Sequence, residues 1–476
     1  MNQLPKNFLY LQLADELEKK INAGDFAIGS KLPSVRMLHR KLGLSVTTVY
    51  EALIELERRN FVEAQPRSGF YVKKTLQHRL KAPKIKKHHF EPNEVKVDEL
   101  IESIFEAMDD HSMIQFGGAA PAIELLPLKR LSQAICTVPN TAINAALEYG
   151  LPQGCTELRS EIAKRIFGYA RNITADQIVV TNVCQEALFL CLRAVTKPGD
   201  TVVIESPTFP GMFALLEDLK LKALEIPTHP DTGVDLGTLE RALEEHIVKT
   251  GIFIPNIHNP FGYIMSERNK KRLVQMFNEK NIPLIEDGVY HDLYSGSEIL
   301  STLKTYDKKD LVMLCSSFSK TIAPGLRIGW TIPGKFKKTV LRLKLNSSIT
   351  SSCFNQLVIL ECLKTGFYDR HLRKMRNSLK IQMAQMTEAI ARYFPENIKI
   401  TKPKGGLLLW IELDESIDAY TVFSKALKQG VSILPGLLFS NSKRFTNCIR
   451  INCGHPWQDK LEHGIATLGK IINHLN

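Results

Sequence analysis

Apolar residues recur at helical spacing from Phe8 to Ile21 (Leu9, Leu13, Leu17, Ile21), with acids and bases on the opposite face, so an amphipathic helix is predicted there. Gly24 and Gly29 punctuate a loop, and Pro33-Ser34 opens a second short helix through Leu42. After the turn Gly43-Leu44, Ser45 is placed to cap a third helix whose inner face is Val49, Ala52, Leu53 and Leu56. Two short strands follow, Phe61 to Ala64 and Phe70 to Lys73, joined by Gln65-Pro66-Arg67-Ser68-Gly69. Helix, helix, turn, helix and β-wing together describe a winged helix-turn-helix over residues 1–73. In that fold the third helix enters the DNA major groove by its N-terminus. Ser45, Thr47, Thr48 and Tyr50 then face bases or phosphates, while Arg36 and Arg67 are candidates for the DNA backbone.

The pattern changes beyond Lys73. Residues 74–112 form a basic linker, with Pro83, Pro92 and few large apolar residues, and a lead-in helix from Val97 to Met108. From residue 113 onward, apolar strand-sized runs alternate with helical stretches, which predicts a mostly parallel sheet and an α/β body over 113–476. The runs are Gln177–Thr181, Thr201–Glu205, Pro283–Asp287 and Leu311–Leu314, with a helix over Glu186–Val195. The C-terminal part carries helices around Thr350 to Arg392, the apolar run Leu407–Trp410 and a last strand Cys448–Asn452.

Composition changes this picture in one respect. Of the net charge of +12, residues 1–90 supply +9, from 17 Lys/Arg against 8 Asp/Glu. A basic head on a nearly neutral body points to a polyanionic partner for the head. The 44% hydrophobic and 24% charged residues are those of a globular protein, and no apolar run approaches the ~20 residues of a membrane span. With no apolar signal core at the N-terminus, a cytoplasmic location is expected. Nine cysteines without C-x-x-C spacing predict reduced thiols and no metal site.

The chemistry converges on Ser316-Ser317-Phe318-Ser319-Lys320 and the following Thr321–Trp330 (TIAPGLRIGW). This segment resembles the cofactor-lysine segment of fold-type I pyridoxal 5'-phosphate (PLP) enzymes, the aminotransferase superfamily. The head, LPSVRMLHRKLGLS…TVYEALIELERRNFVEAQPRSGFYV, resembles that of the GntR regulators. Together they resemble the aminotransferase-type, MocR-like, branch of that family. The expected fold is α/β: a winged-helix head plus a fold-type I body with a large domain and a smaller α+β domain.

The resemblance implies a role for each matched residue. Lys320 forms a Schiff base with PLP, Asp287 holds the pyridine nitrogen protonated, and Tyr290 and Asn259 bond the phenolic oxygen. Phe209 stacks on the ring, and Val183, Cys184 and Gln185 at a helix start cradle the phosphate with Ser317 and Arg327. Tyr149 reaches the partner subunit's cofactor, which implies a homodimer, and Gly118 and Arg450 receive the carboxylate of an amino acid. Two departures stand out. The family usually has glycine and a small hydroxyl residue near Val183 and Cys184, and related heads often carry arginine near Val46 and Tyr50. Two functions share these residues: a DNA-binding regulator sensing an amino acid or amine, and a working aminotransferase with an accessory head.

Overall fold

The computed structural model describes residues 9–59, 61–65, 68–73, 80–83, 90–96, 110, 112–170, 173–296 and 298–476. Arg67, most of the linker and the expected lead-in helix lie outside the described residues.

Local devices shape the head. The helix α1 (Leu9–Ala23) is followed, after a loop, by α2 (Val35–Leu42), whose start is capped by Ser34 accepting from the Met37 N–H at 3.2 Å. Gly43 ends α2 in the left-handed region (φ 68°), a conformation that costs glycine nothing. Ser45 then accepts from Thr48 N–H at 3.0 Å and caps α3 (Val46–Arg58). The wing pairs β1 (Val62–Gln65) antiparallel with β2 (Gly69–Val72). Leu13, Leu17, Ile21, Leu38, Val49, Leu53, Leu56, Phe61 and Phe70 close one apolar core, as the helical spacing requires.

A nine-stranded sheet organises the body, in the order Asn93–Glu94, Lys222–His229, Thr201–Ser206, Val248–Phe253, Leu284–Asp287, Val312–Ser317, Gly329–Ile332, Val179–Thr181, with Gly233–Val234 paired to Lys222–His229. The central five are mutually parallel, and Gly329–Ile332 runs antiparallel to both its neighbours. Thr201–Ser206 and Leu284–Asp287 are buried along their whole length, as expected for strands covered on both faces. Register sets the site: Thr181 pairs with Gly329, Gly329 with Ser317, and Asp287 with Cys315. Polar residues thus gather at the C-terminal ends of the parallel strands, the usual place for a ligand in an open α/β sheet.

A smaller sheet, Lys399–Ile400, Leu408–Glu412, Cys448–Asn452, Leu434–Pro435, carries Arg450 on an inner strand. The long helix Phe367–Tyr393 runs alongside and packs on the C-terminal helix Asp459–Leu475. Among the described residues, no helix is long and apolar enough to cross a membrane.

Candidate cofactor and ligand site

Lys320 lies just past the strand Val312–Ser317, with its amine 5.7 Å from the centre of the Tyr290 ring. Burial, then the nearby Arg450 guanidinium, push that amine down to about 8, against a partial offset from Asp287. A lysine so depressed has an appreciable neutral fraction near pH 7 and is nucleophilic toward a carbonyl.

Asp287 ends its strand nearly sealed from solvent. One of its oxygens, Oδ1, accepts from the Val289 N–H at 3.0 Å and from the Cys184 thiol at 3.4 Å. Burial raises its pKa, and these donors together with Lys320 pull it back. The neighbouring Glu286 faces the other way: its Oε2 accepts from the backbone N–H groups of Leu303 (2.8 Å) and Lys304 (3.3 Å). Alternation along the strand therefore leaves Asp287 alone as the acid of the site.

Arg450 is buried beside Asn259 and the Gly117-Gly118 backbone. Its Nη1 donates to Asn259 Oδ1 at 3.4 Å, and its Nη2 to the carbonyls of Gly117 and Gly118, the latter at 3.0 Å. Every one of these acceptors is neutral, and Nε has no hydrogen-bond partner among the described residues. Burial pushes the guanidinium down to about 10. Gly118 is thereby engaged through its carbonyl, which orients Arg450.

Asn259 sits on a loop anchored from below. Glu205 accepts from the Ile254 N–H at 2.7 Å and from the Tyr263 hydroxyl, and His258 lies 3.5 Å from the same carboxylate. Burial lifts Glu205 to about 7 and lowers His258 to about 3, so the histidine is neutral. Sequence reasoning missed this anchor, because Glu205 and Tyr263 are 58 residues apart. Tyr290 donates its hydroxyl to the Ala119 carbonyl at 3.0 Å, and burial lifts that hydroxyl above its usual range.

The helix Val183–Val195 points its N-terminus at this cluster, and its first-turn N–H groups lack intrahelical acceptors. Val183 takes φ 66°, a left-handed conformation unfavourable for a β-branched residue. It lies against Gly329, where a Cβ would come within 2.3 Å of the Val183 carbonyl carbon. The missing cradle glycine is thus matched by a glycine on the facing strand. Cys184 turns its thiol to Asp287, and Gln185 donates to the Gly211 carbonyl at 3.0 Å. Ser317 Oγ accepts from Ser319 N–H at 3.4 Å, and the buried Ser319 hydroxyl has no hydrogen-bond partner among the described residues. Arg327, at φ 53°, is exposed and close enough to lower Lys320 further. Phe209 is half-buried at the start of the helix Pro210–Asp218.

Tyr149 is 90% exposed and Leu147 79%. The Leu147–Leu151 corner lies at the end of the helix Leu128–Leu147, tied to the 344–353 segment by Lys344 Nζ to Pro152 O and Thr350 Oγ1 to Leu151 O. In the head, Arg36, Ser45, Thr47 and Tyr50 are exposed, while Thr48 is half-buried with its hydroxyl 2.8 Å from Ser45 Oγ. Among the described residues no cluster of His, Cys, Asp and Glu could hold a metal ion, and all nine cysteines are free thiols.

The donor set suits PLP. It offers an amine for the aldehyde, a carboxylate for the pyridine nitrogen, and a helix start with the unpartnered Ser319 hydroxyl for the phosphate.

Comparison with known proteins agrees. Residues 123–468 match aminotransferase class I and II, and residues 9–72 match the bacterial regulatory proteins of the gntR family. The uncharacterized HTH-type transcriptional regulators YdcR and YjiR of Escherichia coli (strain K12) are 38% and 35% identical over 463 residues, covering 97% of this chain and 98% of theirs. Among solved structures, the body is similar to LysN, the alpha-aminoadipate aminotransferase of Thermus thermophilus, complexed with N-(5'-phosphopyridoxyl)-L-leucine. That likeness has 26% identity and a TM-score of 0.73, over 79% of this chain and 95% of that one. The kynurenine aminotransferase of Pyrococcus horikoshii gives 27% identity and a TM-score of 0.73, over 80% and 95%. Because YdcR and YjiR match through head and body alike, the chain belongs to the aminotransferase-type, MocR-like branch of the GntR regulators, with a class I and II body whose cofactor is pyridoxal 5'-phosphate.

Proposed function

We propose that this protein is a transcriptional regulator that binds duplex operator DNA through its head and an amino acid or amine in the PLP site of its body. The observation that carries this reading is Arg450: a buried cation whose acceptors among the described residues are all neutral, beside the pKa-lowered Lys320. Leaving a charge unmatched in a low-dielectric site is costly unless an anion completes it. A ligand carboxylate fits the planar guanidinium, and places an amino group toward Lys320.

When bound, PLP supplies a carbonyl for amine exchange and a ring that withdraws electrons from the substrate Cα. The chain's own residues do the rest. Lys320 Nζ would be the amine that holds the cofactor's carbonyl, and as a neutral amine it could take up a proton there. Asp287 keeps the pyridine nitrogen protonated, with Oδ1 held by Val289 and Cys184. Asn259 and Tyr290 would hold the phenolic oxygen, Phe209 would cover the ring, and Ser317, Ser319, Arg327 and the Val183–Gln185 turn would hold the phosphate. Tyr149 reaches a second subunit's site, so the working form is a homodimer joined across the exposed Leu147–Leu151 corner. The domain division is 1–73, 74–112 and 113–476, and the location is cytoplasmic.

The test is a stoichiometric amino-acid panel on purified, PLP-loaded protein. Spectral change at Lys320 without release of a 2-oxo acid supports the sensor. Sustained turnover with a keto-acid acceptor makes the protein a working aminotransferase, an outcome the intact Lys320, Asp287 and Arg450 would permit. In parallel the protein is titrated with duplex DNA: affinity should fall with salt at about −0.9 in log–log slope per phosphate contacted, and Arg36→Ala should flatten that slope. A head that ignores DNA at low salt sinks the regulator.

A further inference from the structure

The first turn of the helix Val183–Val195 is pinned at three points. Thr181 donates its hydroxyl to the Val183 carbonyl at 2.8 Å, the Asn182 N–H donates to Glu186 Oε2, and Gln185 Nε2 donates to the Gly211 carbonyl at 3.0 Å. Cys184 lies between these anchors, buried, with its thiol on Asp287 Oδ1 at 3.4 Å.

Asp287 takes both of its donors on one oxygen. The Val289 N–H reaches Oδ1 at 3.0 Å and the thiol reaches the same atom, while among the described residues Oδ2 accepts from no donor. A carboxylate is planar, so two donors on Oδ1 fix the direction in which Oδ2 faces. A buried carboxylate oxygen without a donor is costly unless a ligand supplies one. The protonated ring nitrogen of PLP is a donor of that kind. Lys320, Tyr290, Glu205 and Glu286 also act on Asp287, but through space, and none of them hydrogen-bonds it.

Sulfur lines the wall behind this carboxylate. Cys191, seven residues on from Cys184 and on the same helix face, lies 3.7 Å from Cys315 Sγ and 3.4 Å from Thr331 Oγ1. Cys315 is the register partner of Asp287 on the next strand, and the Thr331 hydroxyl is engaged by these two thiols. The side-chain donor on Asp287 is therefore a thiol, and a thiol is a weak one. It orients the carboxylate while drawing off little of its charge. A hydroxyl bonds a carboxylate more strongly and makes it less basic. Burial, then Asp287 itself, push the Cys184 thiol well above its usual range, so it stays protonated and a donor.

We propose that Cys184 is a positioning residue: with the Val289 N–H, its thiol aims Asp287 Oδ2 at the pyridine nitrogen of PLP and leaves the carboxylate basic enough to hold that nitrogen's proton. This role differs from the phosphate cradling that its place at a helix start implies. It rests on the assignment of Asp287 to the ring nitrogen, and it holds equally for a sensor and for a working aminotransferase.

The test uses the full chain loaded with PLP, as wild type, Cys184→Ser, Cys184→Ala and Asp287→Asn, and reads the pH midpoint of the bound cofactor's absorbance. The more positive the ring, the more readily the linked Lys320 nitrogen gives up its proton. Serine draws charge onto Oδ1 and loosens the hold on the ring proton, so the midpoint should rise by roughly half a pH unit; alanine removes the donor, and the midpoint should fall by about as much. Lost packing alone does not give opposite shifts. A second reading needs no cofactor: the infrared S–H stretch of Cys184, isolated as the difference from Cys184→Ala in each background. That band should lie at a hydrogen-bonded frequency and move toward the free value in Asp287→Asn. Midpoint shifts of one sign, or changed PLP affinity with no shift, return Cys184 to the phosphate cradle and overturn the positioning role. An S–H band that ignores Asp287→Asn overturns it as well. If Asp287→Asn leaves the absorbance midpoint unchanged, the assignment of Asp287 falls and Cys184 with it; if the Cys184 variants alone are silent, Asp287 keeps its role and Cys184 loses its own.

Discussion

Two arginines, each only 2% exposed, sit in opposite electrical surroundings. Arg59 is surrounded by Asp15, Glu18 and Glu55, so its charge is more than matched and its pKa is raised despite burial. Arg450 has two backbone carbonyls and one amide oxygen, and burial drives it down. Burial by itself thus says little about what a charged residue is for. The matched arginine builds structure, and the unmatched one is the residue to which the proposed function assigns a ligand carboxylate.

Substitutions can break this contrast. Arg59→Ala leaves Glu55 buried without its cation, and should destabilise the protein by about 3–5 kcal/mol, read by denaturant unfolding, with loss of DNA binding. Arg450→Met should do the reverse: stability of the cofactor-free protein stays within ~1 kcal/mol of wild type or rises. The same substitution should cost amino-acid ligands about 2–4 kcal/mol in titration while sparing amines that lack a carboxylate. Equal losses for both ligand classes would remove Arg450 from carboxylate binding.

Smaller effects sharpen the picture. Val183→Gly removes a left-handed, β-branched residue and should raise the unfolding free energy by ~1 kcal/mol, the strain relieved exceeding glycine's entropic cost. Should Val183→Gly destabilise instead, the valine side chain contributes more packing than its backbone loses. Last comes pH. Lys320 reacts as the neutral amine, so its rate of PLP uptake should rise with pH and level off above about 8, where an ordinary lysine (10.5) would still be climbing. Because its folded pKa lies below the unfolded one, the unfolded chain binds more protons between about 8 and 10.5. The cofactor-free protein should therefore gain stability from this group as pH rises through that window. A plateau near 10 would mean that neither burial nor Arg450 lowers Lys320 as the structure indicates.

Much of this site was legible because it lies at strand ends, where short motifs and local order coincide. Ser317, Lys320, Asp287 and Arg450 each follow or sit within an apolar run that reads as a strand; the register brings Leu284–Asp287 and Val312–Ser317 side by side, while Arg450 arrives from the smaller sheet. The head was legible for a similar reason: its caps at Ser34 and Ser45 act over three residues. What escaped were partners far apart in the chain. Glu205 under the Asn259 loop and the Cys184 thiol on Asp287 (103 residues away) leave no spacing to read.

The sequence by itself determined the head's helices and wing, several strands of the body and the two-part organisation, because period, caps and turn residues act over a few positions. Only the tertiary structure decided which charges are matched. A carboxylate neutralises a cation through distances of a few ångströms, and those are set by packing between elements remote in sequence. For that reason Arg59 and Arg450 look alike in the chain and differ in the fold.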